Sequence, residues 1–139
     1  MKSLVTSHLV LKPISRDHIT DDYVSWLNDG DVNKYLETKG NYTIDLLTEF
    51  VENQITHKVN MWAIHLKENN SHIGNIKIDP INTKHGYGEY GILIGDKTQW
   101  GKGYAKEASQ SVIKHFFYDE YKLRKINLGV VSANSAAVK

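Results

Sequence analysis

The sequence predicts a single α+β domain, and three observations predict it. Met61-Trp62-Ala63-Ile64-His65-Leu66 and Ile73-Gly74-Asn75-Ile76-Lys77-Ile78 have the period of strands and flank the polar turn Glu68-Asn69-Asn70-Ser71, a hairpin signature. Other segments carry apolar residues three and four apart, the stripe of an amphipathic helix. With 139 residues, 40% of them hydrophobic, the chain can bury one real core, and no repeat, low-complexity tract or linker divides residues 1–139.

The elements follow in order. A first strand is expected near Leu4–Leu11, followed by Pro13. Asp17 is placed to cap a helix carrying Ile19, Tyr23, Trp26 and Leu27, which ends at the Asp29-Gly30 turn. Asp31 opens a short piece with Val32, Tyr35 and Leu36. Thr43 caps a third helix with Ile44, Leu47, Phe50, Val51 and Ile55 on one side. After the hairpin and a loop over Asn82–Gly88 come a strand at Glu89–Ile94, a long helix and a strand around Ile126–Val131. A last helix begins near Asn134. The order is strand, helices, three strands, helix, strand, helix.

Composition excludes several function classes. Lys and Arg number 17 against 16 for Asp and Glu, so a net charge of +1 gives no global pull toward nucleic acid or an anionic membrane. The chain has no Cys, which removes disulfides, a thiolate nucleophile and Cys-ligated metal. No apolar run reaches membrane-spanning length and the N-terminus leads straight into a strand pattern, so a soluble cytoplasmic protein is expected. The seven histidines lie at 8, 18, 57, 65, 72, 85 and 115 without metal-ligand spacing, and no metal is expected.

The most informative run is Thr98-Gln99-Trp100-Gly101-Lys102-Gly103-Tyr104-Ala105-Lys106-Glu107-Ala108. It joins the strand Glu89–Ile94 to a helix whose apolar or small face holds 105, 108, 109, 112, 113, 116 and 117. Backbone N–H groups at a helix start lack intrahelical partners and feel the positive end of the dipole, so such a turn seats a phosphate. Gly101 and Gly103 let a ligand approach without a Cβ in the way. A tight connection that binds nothing has the same pattern. A Walker loop is excluded because Tyr104, not Lys-Ser, follows Gly103, and a dinucleotide fingerprint because Lys106 stands where its third Gly belongs.

Read as Q-W-G-K-G-Y-A-K-E-A, residues 99–108 resemble the acyl-CoA-binding turn of the GCN5-related N-acetyltransferases. The closest branch is that typified by the ribosomal-protein N-terminal acetyltransferases. The family signature is Gln/Arg-x-x-Gly-x-Gly/Ala. With Gly103 and Ala105 at its last two fixed positions, Trp100 stands at the first, and Gln99 falls one residue early. The likeness continues through Leu123-Arg124-Lys125-Ile126-Asn127-Leu128 and Asn134-Ser135-Ala136, and at the front through Leu9-Val10-Leu11 and Trp26-Leu27-Asn28-Asp29.

The resemblance implies the family's fold, a mixed central sheet with helices on both faces. It implies acetyl transfer from acetyl-CoA, as co-substrate, to a primary amine by direct attack in a ternary complex. Ile92, Leu93 and Ile94 would offer backbone partners to the pantetheine arm and thioester carbonyl. Gln99, Trp100, Gly101, Lys102, Gly103, Tyr104 and Ala105 would hold the pyrophosphate, and Asn134 would hydrogen-bond the cofactor arm. Lys102 reads more readily as a solvated helix-start lysine, and Asn134 equally as an N-cap. Glu89 is the candidate proton acceptor, acting through a water, with a solvent-facing carboxylate as the other reading. Trp26, Asn28, Tyr35 and Tyr90 would face the acceptor, with packing as the alternative for the aromatics. The acceptor is a small-molecule amine or a protein N-terminus, a homodimer is left open, and neither nucleic acid nor membrane is a partner. The competing class is a non-catalytic acyl-CoA-binding module with the same fold. Members of the family continue beyond the start of the last helix, where a tyrosine often protonates the thiolate. The C-terminal part of the domain is therefore expected to be missing from a chain ending at Lys139.

Overall fold

A single strand over Leu4–Leu11 would put Leu4 on the face opposite Leu9 and Leu11, because strand side chains alternate. The chain avoids this by turning. In a computed structural model, which describes residues 2–33, 41–82, 87–116 and 125–128, β1 (Leu4–Val5) and β2 (Leu9–Pro13) form an antiparallel hairpin. Leu4 pairs with Leu11, and all three leucines enter one core. Thr6 holds the turn: its N–H donates to the Leu9 carbonyl at 2.9 Å, and its Oγ1 accepts from the Leu9 N–H at 3.0 Å. The expected first strand is thus two strands.

The helix expected after Asp17 starts later. Arg16–His18 is a 3₁₀ turn, and α1 (Asp21–Asn28) is capped by Thr20, whose Oγ1 accepts from the Tyr23 N–H at 3.3 Å. Thr20 has the extended backbone an N-cap needs, while Asp17 lies inside the preceding turn. The short α2 (Gly30–Asn33) follows. α3 (Ile44–Thr56) starts at the expected cap, Thr43, whose side chain accepts from the Leu46 N–H at 3.2 Å. Leu47 and Val51 are fully buried, each side chain contributing about 1.5–3 kcal/mol. Ile44 and Ile55, placed on the same stripe by spacing, are instead exposed.

Among the described residues six strands form one sheet in chain order: β1, β2, β3 (Asn60–Leu66), β4 (His72–Asn82), β5 (Tyr87–Ile94) and β6 (Lys125–Leu128). Neighbours are antiparallel up to β5, and β5 and β6 are parallel, so the sheet is mixed as expected. Both faces are covered. Trp62, Ile64, Ile76, Ile78, Ile92 and Ile94 pack with Ala105, Ala108 and Val112 of α4 (Tyr104–Lys114). Met61 and Ala63 join Tyr23, Trp26, Leu47 and Val51 from α1 and α3 on the other side. This explains β3, buried at every position from Met61 to Leu66.

Two features of β4 and β5 shape the site. Ile78 pairs with Tyr90 and Ile81 with Gly88, so Asp79 and Pro80 together oppose Glu89. Pro80 has no N–H for the ladder, and such a bulge bends a strand locally. On the far side of β5, the described pairing with β6 runs from Tyr87↔Lys125 to Tyr90↔Leu128. Tyr35, His85 and Asn134 lie outside the described residues, as do the last helix and the end of the expected strand at 129–131.

Candidate active site

The turn after β5 is built from local bonds. Asp96 caps the 3₁₀ turn Lys97–Gln99, its Oδ1 accepting from Thr98 N–H at 3.1 Å and Thr98 Oγ1 at 2.6 Å. Lys97 reaches the α1–α2 junction, with Nζ 2.9 Å from Asp29 and 3.0 Å from Asp31. Those hydrogen bonds raise the lysine pKa and lower that of Asp29.

Trp100 turns inward. Its indole N–H donates to the Ile94 carbonyl at 2.7 Å, and its ring packs against both cores. Where the family signature has a polar side chain, this chain uses the indole to fasten the turn to the end of β5. Gln99 and Lys102 turn toward each other, Lys102 Nζ donating to Gln99 Oε1 at 3.1 Å in an exposed position.

Gly101 and Gly103 both have left-handed backbones, with φ of +81° and +79°. A Cβ at either would meet nothing within 4 Å, so open space stands before the turn. Gly103 is the N-cap of α4, and the Glu107 N–H reaches its carbonyl at 3.0 Å. The N–H groups of Tyr104, Ala105 and Lys106 belong to the first turn, where a helix has no carbonyl to give them. The turn therefore fits a phosphate through its backbone. Glu107 points the other way and accepts from the Thr6 hydroxyl, from His8 N–H at 2.8 Å and, at 2.8 Å, from the His8 ring. Burial pushes its pKa up, but these bonds outweigh burial and hold it below the usual carboxylate range.

In β5, Ile92 and Ile94 are buried toward α4. Leu93 pairs with Asn75 and packs on the α1–α3 side. On that side a cavity of about 260 Å³ opens between the sheet and the helices. Its walls are Tyr23 and Leu27 of α1, Tyr42, Phe50 of α3, Met61, and the β4–β5 stretch from Asn75 to Lys77 and Gly91 to Leu93. Burial pushes the Tyr23 hydroxyl pKa up, so that phenol stays protonated.

Asn28 fixes one wall. Its amide accepts from the Tyr42 N–H at 2.7 Å and donates to the Tyr42 carbonyl at 3.0 Å, so the side chain is engaged on backbone. Trp26 is buried against Gly95, His72 and Tyr23 and is not among the lining residues. For Glu89 and Tyr90 the structure gives backbone positions: Glu89 opposite the β4 bulge and level with Asn127, Tyr90 between Ile78 and Leu128.

Histidines far apart in sequence meet beside this cavity. Ser15 N–H donates to His18 Nδ1 at 3.0 Å, so the proton of that ring sits on Nε2, 2.9 Å from His65 Nε2. The His65 proton is then on Nδ1, which bonds the Asn70 carbonyl at 2.9 Å. His72 Nε2 lies 2.9 Å from both the Gly74 carbonyl and Asn75 Oδ1. A carbonyl only accepts, so His72 Nε2 carries the proton and faces the Asn75 oxygen. Burial, then the neighbouring His72 and His65, push His18 down to about 4; burial foremost does the same to His72. Among the described residues no group of three or more His, Cys, Asp or Glu could hold a metal ion.

Sequence spacing drew attention to the turn but not to Tyr42, Asn75 or Lys77. Tyr42 precedes a cap and reads as loop, and in β4 the alternation identifies a strand without marking either polar residue.

A sequence model described as Acetyltransferase (GNAT) domain matches residues 8–139, and the chain belongs to that acetyltransferase family. A Bacillus licheniformis protein named uncharacterized N-acetyltransferase p20 is 27% identical over 143 residues, spanning 100% of this chain and 79% of the relative. Among solved structures, spermidine N-acetyltransferase from Vibrio cholerae, in complex with CoA and spermine, superposes with a TM-score of 0.78 at 23% identity, covering 96% of this chain and 77% of that one. A Vibrio cholerae protein assigned as a ribosomal-protein-serine acetyltransferase gives a TM-score of 0.75 at 18% identity, covering 98% and 80%. The fold is therefore that of the family, and acetyl transfer is its reaction class. No helix among the described residues is long and apolar enough to cross a membrane.

Proposed function

We propose that this protein transfers the acetyl group of acetyl-CoA to a primary amine by direct attack in a ternary complex. The observation that carries the reading is the turn at 100–105, with two left-handed glycines, open space before them and the first-turn donors of α4. In this reading those donors hold the pyrophosphate, with Lys102 at the rim. The β5 backbone at Ile92–Ile94 takes the pantetheine arm and thioester carbonyl, and Asn134 adds a hydrogen bond to the arm. The amine enters from the opposite face, through the cavity beside Gly91–Leu93. Glu89 accepts its proton through a water. Trp26, Asn28, Tyr35 and Tyr90 shape the acceptor side, Trp26 only through Tyr23, against which it packs, and Asn28 by holding Tyr42.

The branch is that of the ribosomal-protein N-terminal acetyltransferases, a reading supported by the shared fold with the Vibrio cholerae protein of that assignment. The acceptor is a small amine or a protein N-terminus, encountered in the cytoplasm by a monomer or homodimer. Free thiol released from acetyl-CoA on addition of amines tests the proposal. Release dependent on both amine and protein is expected. Acetyl-CoA binding without release for any amine would make the protein a binding module.

A further inference from the structure

Asn75 is only 4% exposed, yet its Nδ2 has no hydrogen-bond partner. A buried donor left unsatisfied keeps the cost of its desolvation, so such a group calls for an explanation. Its orientation is fixed. His72 donates to Oδ1, and since Nε2 of the same ring also faces the Gly74 carbonyl, the amide cannot be reversed without setting two donors against each other. The amino group is thus left over, and Asn75 lines the cavity beside Leu93.

The rest of the lining is apolar or aromatic, with one charged side chain among the described residues, Lys77. Its ammonium stands 5.9 Å above the Phe50 ring. No carboxylate lines the cavity among the described residues. A polyamine placed here would bring several cations against a wall whose one described charge, Lys77, is already a cation. The cavity, about 260 Å³, exceeds the roughly 150 Å³ apolar cavity that holds benzene, leaving room for one ring and a short arm.

We infer that the acceptor is a compact monoamine with an apolar, ring-sized body and a hydrogen-bond-accepting oxygen close to the amine. The body seats among Tyr23, Leu27, Tyr42, Phe50 and Met61, and the oxygen takes the Asn75 amide. The inference rests on the acetyl-transfer reading. The amine nitrogen bonds to the thioester carbonyl carbon, and the carbon–sulfur bond breaks with its electron pair on sulfur. The amine loses one proton, the thiolate takes one up, and the products are the N-acetyl amine and free CoA. Asn75 selects the substrate by pairing its oxygen, which stays outside the bonds that change.

The test uses the whole chain with acetyl-CoA and three probes: L-phenylalaninamide, 2-phenylethylamine, which lacks the oxygen, and spermidine. We expect kcat/KM for phenylalaninamide to exceed that for spermidine at least tenfold and that for phenylethylamine several-fold. Asn75→Leu should erase the preference for phenylalaninamide over phenylethylamine, since its donor is gone. Spermidine equal to or better than phenylalaninamide would overturn the inference, and that comparison needs no variant. If no amine releases CoA, the side-chain amide resonance of Asn75 in ¹⁵N-labelled protein still decides. A shift on adding phenylalaninamide upholds the seat while the transfer reading fails; an unmoved resonance overturns the seat itself.

Discussion

At the scale of single residues, the proposed cofactor turn depends on backbone, not side chains. Gly103 has φ of +79°, where a branched residue is strained, and it borders the open space expected to take the pyrophosphate. Gly103→Val should weaken acetyl-CoA binding at least tenfold, about 1.4 kcal/mol, in a calorimetric titration. Lys102→Ala should cost much less, because that side chain is exposed and turned toward Gln99. Wild-type affinity in Gly103→Val would move the cofactor elsewhere. Glu89 makes a chemical prediction. Glu89→Gln should leave acetyl-CoA binding nearly intact and slow turnover by roughly 10²-fold, as loss of a general base does. The deficit should narrow at high pH, where more of the amine is already neutral. A pH–rate profile checks both statements, and an unchanged rate at neutral pH would remove Glu89 from the reaction.

At the scale of elements, the junction of α1 with the end of β5 is a tightly specified contact near the site. A Cβ on Gly95 would stand 2.2 Å from Cδ2 of Trp26 and 2.4 Å from two more atoms of its side chain. The indole is buried, with the Tyr23 and His72 rings against it. Gly95→Ala should therefore destabilise by about 1–3 kcal/mol, read as a lower Tm. Combined with Trp26→Ala, which removes the obstructing ring, its effect should shrink markedly in a double-mutant cycle. Full additivity would show that the two residues do not meet.

The same contrast of near and far governs what could be read from sequence. Thr43 as a cap and the 98–108 turn are local chemistry, and both were legible. The break between β1 and β2 was not. Thr6-Ser7-His8 contains no Gly, Pro or Asn, and its turn is held partly by Glu107, a hundred residues away in the chain. Asn75 was illegible for a related reason: its meaning comes from His72 on one side and a cavity walled by α1, Tyr42 and α3 on the other. Register decides such contacts, and no spacing rule encodes register across three elements.

At the scale of the whole molecule, the buried histidines link stability to pH. With His18 and His72 at about 4 when folded and near 6.5 when unfolded, the unfolded chain binds more protons between those values. Stability is then complete above about pH 6.5 and falls as the pH drops toward 4, levelling off below. From pH 7.5 to 5 each ring contributes at most about 2 kcal/mol, and the pair less than twice that because they repel when charged. Tm should fall over this window, and His72→Asn should flatten the fall. An equally steep profile in that variant would assign the dependence to other groups.

The sheet's strand order, identical to the order of synthesis, bears on how the molecule comes into being. The pairs β1–β2, β3–β4 and β4–β5 close short connections and form quickly, whereas β2 meets β3 only across the segment that holds α1, α2 and α3. Joining β6 to β5 in parallel requires the crossover through α4. Every described wall of the proposed amine cavity lies between residues 23 and 93, and the proposed phosphate turn follows it. On a ribosome the substrate side can take shape while the cofactor turn is still being made. Acetyl-CoA, whose proposed seat follows the first five strands in the chain, would then act as a late clamp on the nascent domain, holding α4 against strands that have already chosen their register.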